Sequence, residues 1–581
     1  MAFKRNLSEG WRLTDGILPE TLMEKPSGVY EALRDAGRLP DAEEGMNALS
    51  CEWIQARKWT YSLMLEAPGE DDERVFLELP KVSGRGEVFL NGEAVGDFES
   101  GYVRLELTGA LNQDEENRIE ICFEPTLHAR PGRKSPVPQI GLMAAPAIRT
   151  INYAAVEGTK LTSFMDGKTG VICAEMTVQA YTAGRYTFRY ALSVDGETAG
   201  IHEFTEKLPA ARRTLKHEIR MPGAAALDLN RLEETVCGIK FTLERGGIGC
   251  DVRHMETGFR RHTGPARCIA AEEWPVSQDT IDRIIEAGAD SVMLLGAPDN
   301  LPDRNDFLSG LTVIGRGKYM ETAGMLRAEA MKKYAAGEAF WPADGALWKL
   351  RGGRCPEDTF GAEADRFARA MRCRQAQEVF LAAAKQRRRR GDFAVKLDES
   401  YAYLASGALA EKSGAARPAL GALRRAWQEA YVCCELPEGT AKRDAMIQMN
   451  VWAMAESLRG GILTASVRVM TLEGEELAAE TFPVMGGDIR LIGMISVRTP
   501  DRDGLLIVRT ELSERGDANG RAGRQLSRLD LMIPVGGDYT ELLTACPDAA
   551  PGQEKGAAAV SAGLCVLPGE DMPCGGEWVN R

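Results

Sequence analysis

The hydrophobic period of this chain changes twice, and that limits the folds open to it more than any single motif does. Up to about residue 257, apolar and polar residues alternate in stretches such as RVFLELPKVSGRGEVFLNG, YVRLELTGAL, NRIEICFEPT, VICAEMTVQAY, GRYTFRYALSVDGE and VCGIKFTLERGG, with Gly, Asn and Pro between them. A period of two sets one side of each segment on a core, as half-buried strands require. From about residue 258 the spacing becomes helical. In SQDTIDRIIEAGADSVMLLG, Ser277 reads as an N-cap and Ile281, Ile284 and Ile285 as one apolar face. Ser291–Leu295 then reads as a strand of a parallel sheet covered on both faces. A long helix is expected over about 361–390, then the segment DFAVKLDES, then a helix through ALGALRRAWQEAYV. From about residue 443 the alternation returns, in MIQMNVWAMAE, GILTASVRVMTLEGEEL, DIRLIGMISVR and GLLIVRTEL.

This order predicts a multidomain, mainly β chain, and 581 residues are ample for three to five domains. The expected division is a β-sandwich over 1–153, a second sandwich of immunoglobulin-like size over 154–257, and an α/β domain over 258–425. A C-terminal immunoglobulin-like sandwich over 426–545 and an irregular tail over 546–581, rich in Gly, Ala and Pro, complete it. Within the first sandwich, Asn91-Gly92 joins two strand-forming runs. Both residues tolerate the positive φ of a type I′ turn, so a hairpin tip is expected there. One helix precedes it, in SGVYEALRDAG, with Val29, Leu33 and Ala36 on one face.

Charge and cysteine usage exclude several functions. The formal net charge is −14, whereas a nucleic-acid binder carries a basic footprint. The one basic run, QRRRRGD at Gln386–Asp392, ends an apolar-periodic segment and reads as cations at the negative end of a helix dipole. The N-terminal stretch MAFKRNLSEGWRLTDG has no apolar core, and no transmembrane span is expected. Thirteen cysteines, with Cys433 and Cys434 adjacent and no CxxC, predict free thiols in a reducing cytosol. Five histidines form no metal-binding pattern, so no metal or other cofactor is expected. The sequence leaves homo-oligomerisation open.

Three ordered motif clusters over about 260 residues carry a resemblance. The first is SGVYEALRDAGRLPDAEEGMN followed by CEWIQARKWTYSL, with Leu39-Pro40-Asp41, Asn47, Trp53-Ile54 and Trp59-Thr60-Tyr61. The second is the Val88–Gly96 hairpin with its Asn-Gly tip. The third runs from APAIRTINYAAVEG to RHMETGFRR, with Arg253, Gly258, Phe259 and Arg260. Together they resemble glycoside hydrolase family 2, in its β-mannosidase branch. The resemblance implies a sugar-binding jelly roll, galactose-binding-like, for 1–153, and a (β/α)₈ TIM barrel with two catalytic carboxylates after the second sandwich. It implies a carbohydrate partner, a β-mannoside or related β-glycoside. RQAQEVFLAAAKQRRRRGDFAVKLDES and GAARPALGALRRA resemble the family's last barrel helices and strand, although Ala394-Val395-Lys396 stands where the family has Trp-Gln.

The centre of the chain departs from the family. A (β/α)₈ barrel needs roughly 200–250 residues, and only about 140 separate Phe259 from the strand near Val395. A truncated barrel remnant with fewer than eight strands is therefore expected. A retaining glycosidase places two carboxyl groups about 5–5.5 Å apart, one as nucleophile and one as acid and then base. The family's acid follows an Asn, and no Asn-Glu pair occurs here. The nucleophile-like stretch is YAAGEAFWPADGALWKLRGG, which makes Glu338 the candidate nucleophile and Phe340, Trp341 and Trp348 candidate sugar-stacking platforms. Asp299, in a Pro-Asp-Asn turn after a strand, and Glu321 are weaker candidates for a second carboxylate. Three functions follow: a degenerate relative kept for sugar binding or partnership, a working minimal retaining glycosidase using Glu338, or a pure interaction protein.

Overall fold

A computed structural model describes residues 3–298, 307–320, 364–397 and 409–545, less short stretches within them. Strands dominate, as the alternation requires. The chain divides into two compact units. One comprises 1–264 with 271–285 and 290–317; the other comprises 265–270, 286–289 and 318–581.

The first unit opens with two packed sheets. One is ordered Thr21–Leu22, Arg12–Thr14, Trp59–Leu65, Asn117–Phe123, Gly86–Leu90 and Glu93–Phe98. The other contains Phe3–Asn6, Ala147–Ile151, Arg74–Ser83 and Gly141–Leu142, with Gly101–Glu106 also paired to Arg74–Ser83. The expected hairpin is present. Asn91 and Gly92 take φ of 54° and 84°, the double positive φ of a type I′ tip. Asn91 also fastens the tip: its Nδ2 donates to Asn117 Oδ1 (2.8 Å), and its Oδ1 accepts from the Arg118 amide (2.8 Å). Helix α1 (Val29–Asp35) buries Val29, Tyr30, Ala32 and Leu33. Ala36, expected on that face, is the exposed C-cap, because the helix ends one residue earlier.

The next sandwich packs three strands (Ala154–Asp166, Thr169–Ala180, Arg212–Pro222) against four (Glu197–Leu208, Gly184–Val194, Val236–Arg245, Ile248–Gly258). Tyr186, Phe188, Tyr190 and Phe241 fill its core. Phe259 of the third motif cluster closes one end. A Cβ on Gly170 would meet the Phe259 ring at 2.5 Å, so only glycine admits that ring.

The period change at 258 is realised as mixed structure. Helix α2 (Gln278–Glu286) begins with the Thr280 amide on Ser277 Oγ (3.3 Å) and buries Ile281 and Ile284. Ser291–Leu294 runs parallel to Leu311–Ile314, which pairs antiparallel with Phe307–Leu308. In the second unit, Arg267–Ala270 runs parallel to Phe393–Lys396. Five strands thus occur among the described residues of 258–425.

Helix α3 (Ala364–Arg388) and helix α4 (Pro418–Trp427) follow. The helical reading of ALGALRRAWQEAYV needs correction at its end. Tyr431–Cys434 is a strand, paired antiparallel with Val451–Met454 and wholly buried. Burial in a sheet overrides the local helical pattern there. The basic run also finds other partners than its own helix dipole. Arg387 donates to the carbonyls of Ala426 (3.0 Å), Gln428 (2.7 Å) and Glu429 (3.3 Å), at the C-terminal end of α4. Arg388 pairs with Glu435 (3.0 Å) and Arg390 with Asp488 (3.2 Å). The last sandwich sets Tyr431–Cys434, Met446–Met454 and Ile489–Arg498 against Glu476–Met485, Ile462–Thr471, Gly504–Glu514 and Gln525–Val535. Helix α5 (Tyr539–Ala545) ends it.

Candidate functional site

The aromatic residues of the first motif cluster are framework. Trp59 is buried and its Nε1 donates to the Ile54 carbonyl (2.9 Å). The buried Tyr61 hydroxyl donates to the Ser27 carbonyl (2.9 Å), which ties the strand to the turn that starts α1. Burial pushes the Tyr61 hydroxyl far above the usual phenol range, so it stays protonated. Trp53 is half-buried under the Arg57 guanidinium, 4.3 Å from its ring centroid, and Arg57 pairs with Asp15. Burial alone would raise the Asp15 carboxyl; the Leu18 amide and Arg57 outweigh it and hold it below the ordinary value.

In barrels of parallel strands, sites form at the carboxyl ends. In the first unit those ends include Ala271–Glu272 and Leu294–Pro298. The Leu295 amide donates to the Ala271 carbonyl (2.8 Å), and a Cβ on Gly296 would fall 2.0 Å from the Glu272 carbonyl oxygen. Glycine is what lets these two ends meet. Asp299 follows directly and lies outside the described residues, as do Glu321, Glu338, Phe340, Trp341 and Trp348. In the second unit, Phe393–Lys396 ends in a lysine that is 3% exposed. Its carbonyl accepts from the Leu409 amide (3.1 Å), and the Leu409 carbonyl accepts from the Arg417 backbone amide (2.9 Å); Arg417 is itself 1% exposed. Two engaged, buried cations therefore stand near one strand end. In the sequence Lys396 stands out only as part of the Ala394-Val395-Lys396 replacement of an aromatic position. The available signal was a lysine bracketed by Phe393, Val395 and Leu397, since lysine is rarely buried without a partner.

A cavity of about 690 Å³ lies elsewhere in the second unit, between α3, the Cys434–Thr440 loop and the Met532–Pro534 strand segment. Its carboxylates are paired. Arg374 binds both Glu378 (2.9 Å) and Asp538 (3.3 Å), and Arg388 binds Glu435. Tyr539 is the only aromatic among its described lining residues, and it is buried. Among the described lining residues no exposed aromatic offers a sugar a stacking platform, and Glu378, Asp538 and Glu435 are ion-paired. Burial pushes the neighbouring Cys433 thiol up to about 11, so it is no thiolate nucleophile at neutral pH. Among the described residues no cluster of three or more His, Cys, Asp or Glu could hold a metal.

The fold and its motifs define a class. Residues 11–155 match the family model of the glycosyl hydrolase 2 galactose-binding domain-like module. Among curated proteins, β-mannosidase B of Emericella nidulans is 30% identical over 137 residues, which is 22% of this chain and 16% of that protein. The Aspergillus clavatus β-mannosidase B is 26% identical over 128 residues, 20% of this chain and 15% of its own length. These matches therefore cover less than a fifth of either relative. Among solved structures, the β-D-mannosidase from Dictyoglomus thermophilum superposes with a TM-score of 0.62 at 11% identity, over 92% of this chain and 89% of that one. The Amycolatopsis orientalis exo-chitosanase gives 0.58 at 11% identity, over 92% and 85%. At such identities the likeness is one of fold. The resemblance read from the motifs stands: the chain is similar to family 2 glycoside hydrolases, and to β-mannosidases among them.

Proposed function

We propose that this is a family 2 type protein of carbohydrate metabolism, retained for binding a β-mannoside or related β-glycoside, with an incomplete catalytic pair. The observation that carries the reading is the galactose-binding-like module over 11–155, whose curated relatives are β-mannosidases. The absence of any Asn-Glu pair supports the loss of the acid. General acid–base catalysis is worth roughly 10²–10⁴-fold, so a glycoside would turn over very slowly without it. The same proposal includes the five-part division at 153, 257, 425 and 545, a barrel short of strands over 258–425, and a cytosolic setting for the thirteen thiols. It assigns any remaining nucleophilic role to Glu338, with Asp299 the weaker candidate and Phe340, Trp341 and Trp348 as platforms.

A second reading, an active minimal retaining β-glycosidase, draws support from the fold likeness reaching across 89% of a β-mannosidase chain. One assay separates the readings: hydrolysis of aryl-β-mannoside, galactoside and glucuronide, beside calorimetry with the free sugars. Binding heat with little or no cleavage is expected, and Glu338→Gln should change binding modestly at most. Cleavage at about 1–10³ s⁻¹ that is lost in Glu338→Gln would establish the enzyme instead. Neither heat nor cleavage would leave an interaction protein.

A further inference from the structure

The first two sandwiches meet across a buried network of charges. Arg149, on the strand Ala147–Ile151, is 4% exposed. It donates to the Asp251 carboxylate, and both its Nη atoms reach the Val156 carbonyl at 3.2 Å. Asp251, on the strand Ile248–Gly258 of the second sandwich, also accepts from the Val156 amide (2.8 Å). On its other side, Arg149 lies 3.5 Å from Glu78 of the first sandwich, whose carboxylate takes Lys4 at 2.8 Å. Arg253 completes the ring, donating to the Val156 carbonyl at 2.8 Å. A rim surrounds these groups. Glu157 bridges Arg104 (3.1 Å) and Arg212 (3.3 Å), and the Arg104 guanidinium stacks 4.1 Å over Phe76. Phe76 in turn packs with Ile151 and Ala155, and stacks on Tyr181 at 6.4 Å. Burial would raise Glu78, but Lys4 and Arg149 outweigh it and hold its carboxyl below the ordinary range, so Glu78 is charged at neutral pH.

Such a network has an uneven energy. Intact, its desolvation is offset by complementary charge. Removing one partner while the rest stays packed leaves a buried charge uncompensated, which is strongly unfavourable. Separating the two sandwiches parts Arg149 from Asp251 and from the Val156 carbonyl, whereas Glu78 keeps Arg149 and Lys4 on its own side.

We propose that Arg149 is the centre of an interdomain lock that makes the first two sandwiches open and close as one cooperative body. The consequence is transmission. A small loss of stability in the core of the second sandwich is felt at the Arg149 strand of the first. Independent sandwiches would keep such a loss local.

Hydrogen exchange on the full chain tests this. Ile239→Val trims the second core by one methylene, which should speed exchange along Val236–Arg245 by roughly 3- to 10-fold. With the lock, Ala147–Ile151 should speed by the same factor. Unchanged exchange at Ala147–Ile151 would overturn the proposal. Arg149→Met in the same background should abolish the transmission, returning the ratio at Ala147–Ile151 to about one. Full transmission persisting without Arg149 would also overturn it. Should Arg149→Met fail to fold, Glu157→Gln loosens the rim while leaving Arg104 an amide oxygen to donate to, and should reduce the transmitted factor; no reduction counts against the proposal.

Discussion

At the residue scale, polar side chains placed in cores govern how the molecule responds to its surroundings. His217 is the clearest case. It is buried in the second sandwich, stacked on Phe204 at 4.4 Å and edge-on to Phe188 at 4.9 Å. Its Nδ1 meets the Tyr190 hydroxyl at 2.8 Å, while its buried Nε2 makes no hydrogen bond. Burial pushes its pKa below the ordinary 6.5, with Glu206 opposing only in part. The unfolded chain therefore binds a proton at this position more readily than the folded one. Stability from this group is complete above pH 6.5 and declines as pH falls from there through the lower folded value. Thermal melts between pH 7.5 and 5 should show that decline for the second sandwich, and His217→Phe should flatten it. A decline of equal slope in His217→Phe would assign it to other groups.

At the element scale, one glutamine closes a sheet edge. Gln525–Val535 is the outer strand of its sheet. Gln377 of α3 presents its amide to that edge like a neighbouring strand: Nε2 donates to the Met532 carbonyl and Oε1 accepts from the Met532 amide, both at 2.8 Å. Edge strands offer unpaired backbone groups to other chains unless something covers them. Gln377→Leu keeps the volume and strands both groups in a buried place. Each unsatisfied group costs about 1–3 kcal/mol, so chemical denaturation should show a loss of roughly 2–4 kcal/mol in the unit containing α3. A loss below about 0.5 kcal/mol would mean water replaces the amide without penalty. Arg387 acts similarly, binding carbonyls at the end of α4 that its own helix does not supply.

At the scale of the whole molecule, the sheets of the first two sandwiches are complete within residues 3–258. Every strand in them pairs with another from the same stretch, so no ladder depends on later chain. A fragment of residues 1–264 should therefore fold alone and melt cooperatively by circular dichroism, carrying the galactose-binding-like module with it. An unfolded or aggregated fragment would show that later segments are needed. The same fragment refines the functional test, since sugar binding by it would place the carbohydrate contact in the module and not at Glu338.

Much of this was legible in the residues because it is local. The Asn91-Gly92 tip follows from the φ angles two residues tolerate, and the strand-rich ends follow from a period of two. The helix in SQDTIDRIIEAG follows from its cap and its isoleucine spacing. The candidate pair was legible only as motif, and Glu338 and Asp299 lie outside the described residues. The cavity was not legible at all, since its walls come from 374–388, 434–440 and 532–539, distant along the chain. The sequence by itself determined the class of most of the described segments and the likeness to family 2, because sterics, periodicity and short motifs act within a few residues. Tertiary structure alone decided that Tyr431–Cys434 is strand, that Lys396 and Arg417 are buried, and that Arg149 meets Asp251 across 102 residues. Those outcomes depend on which surfaces come together, and burial then sets the energy of every charge caught between them.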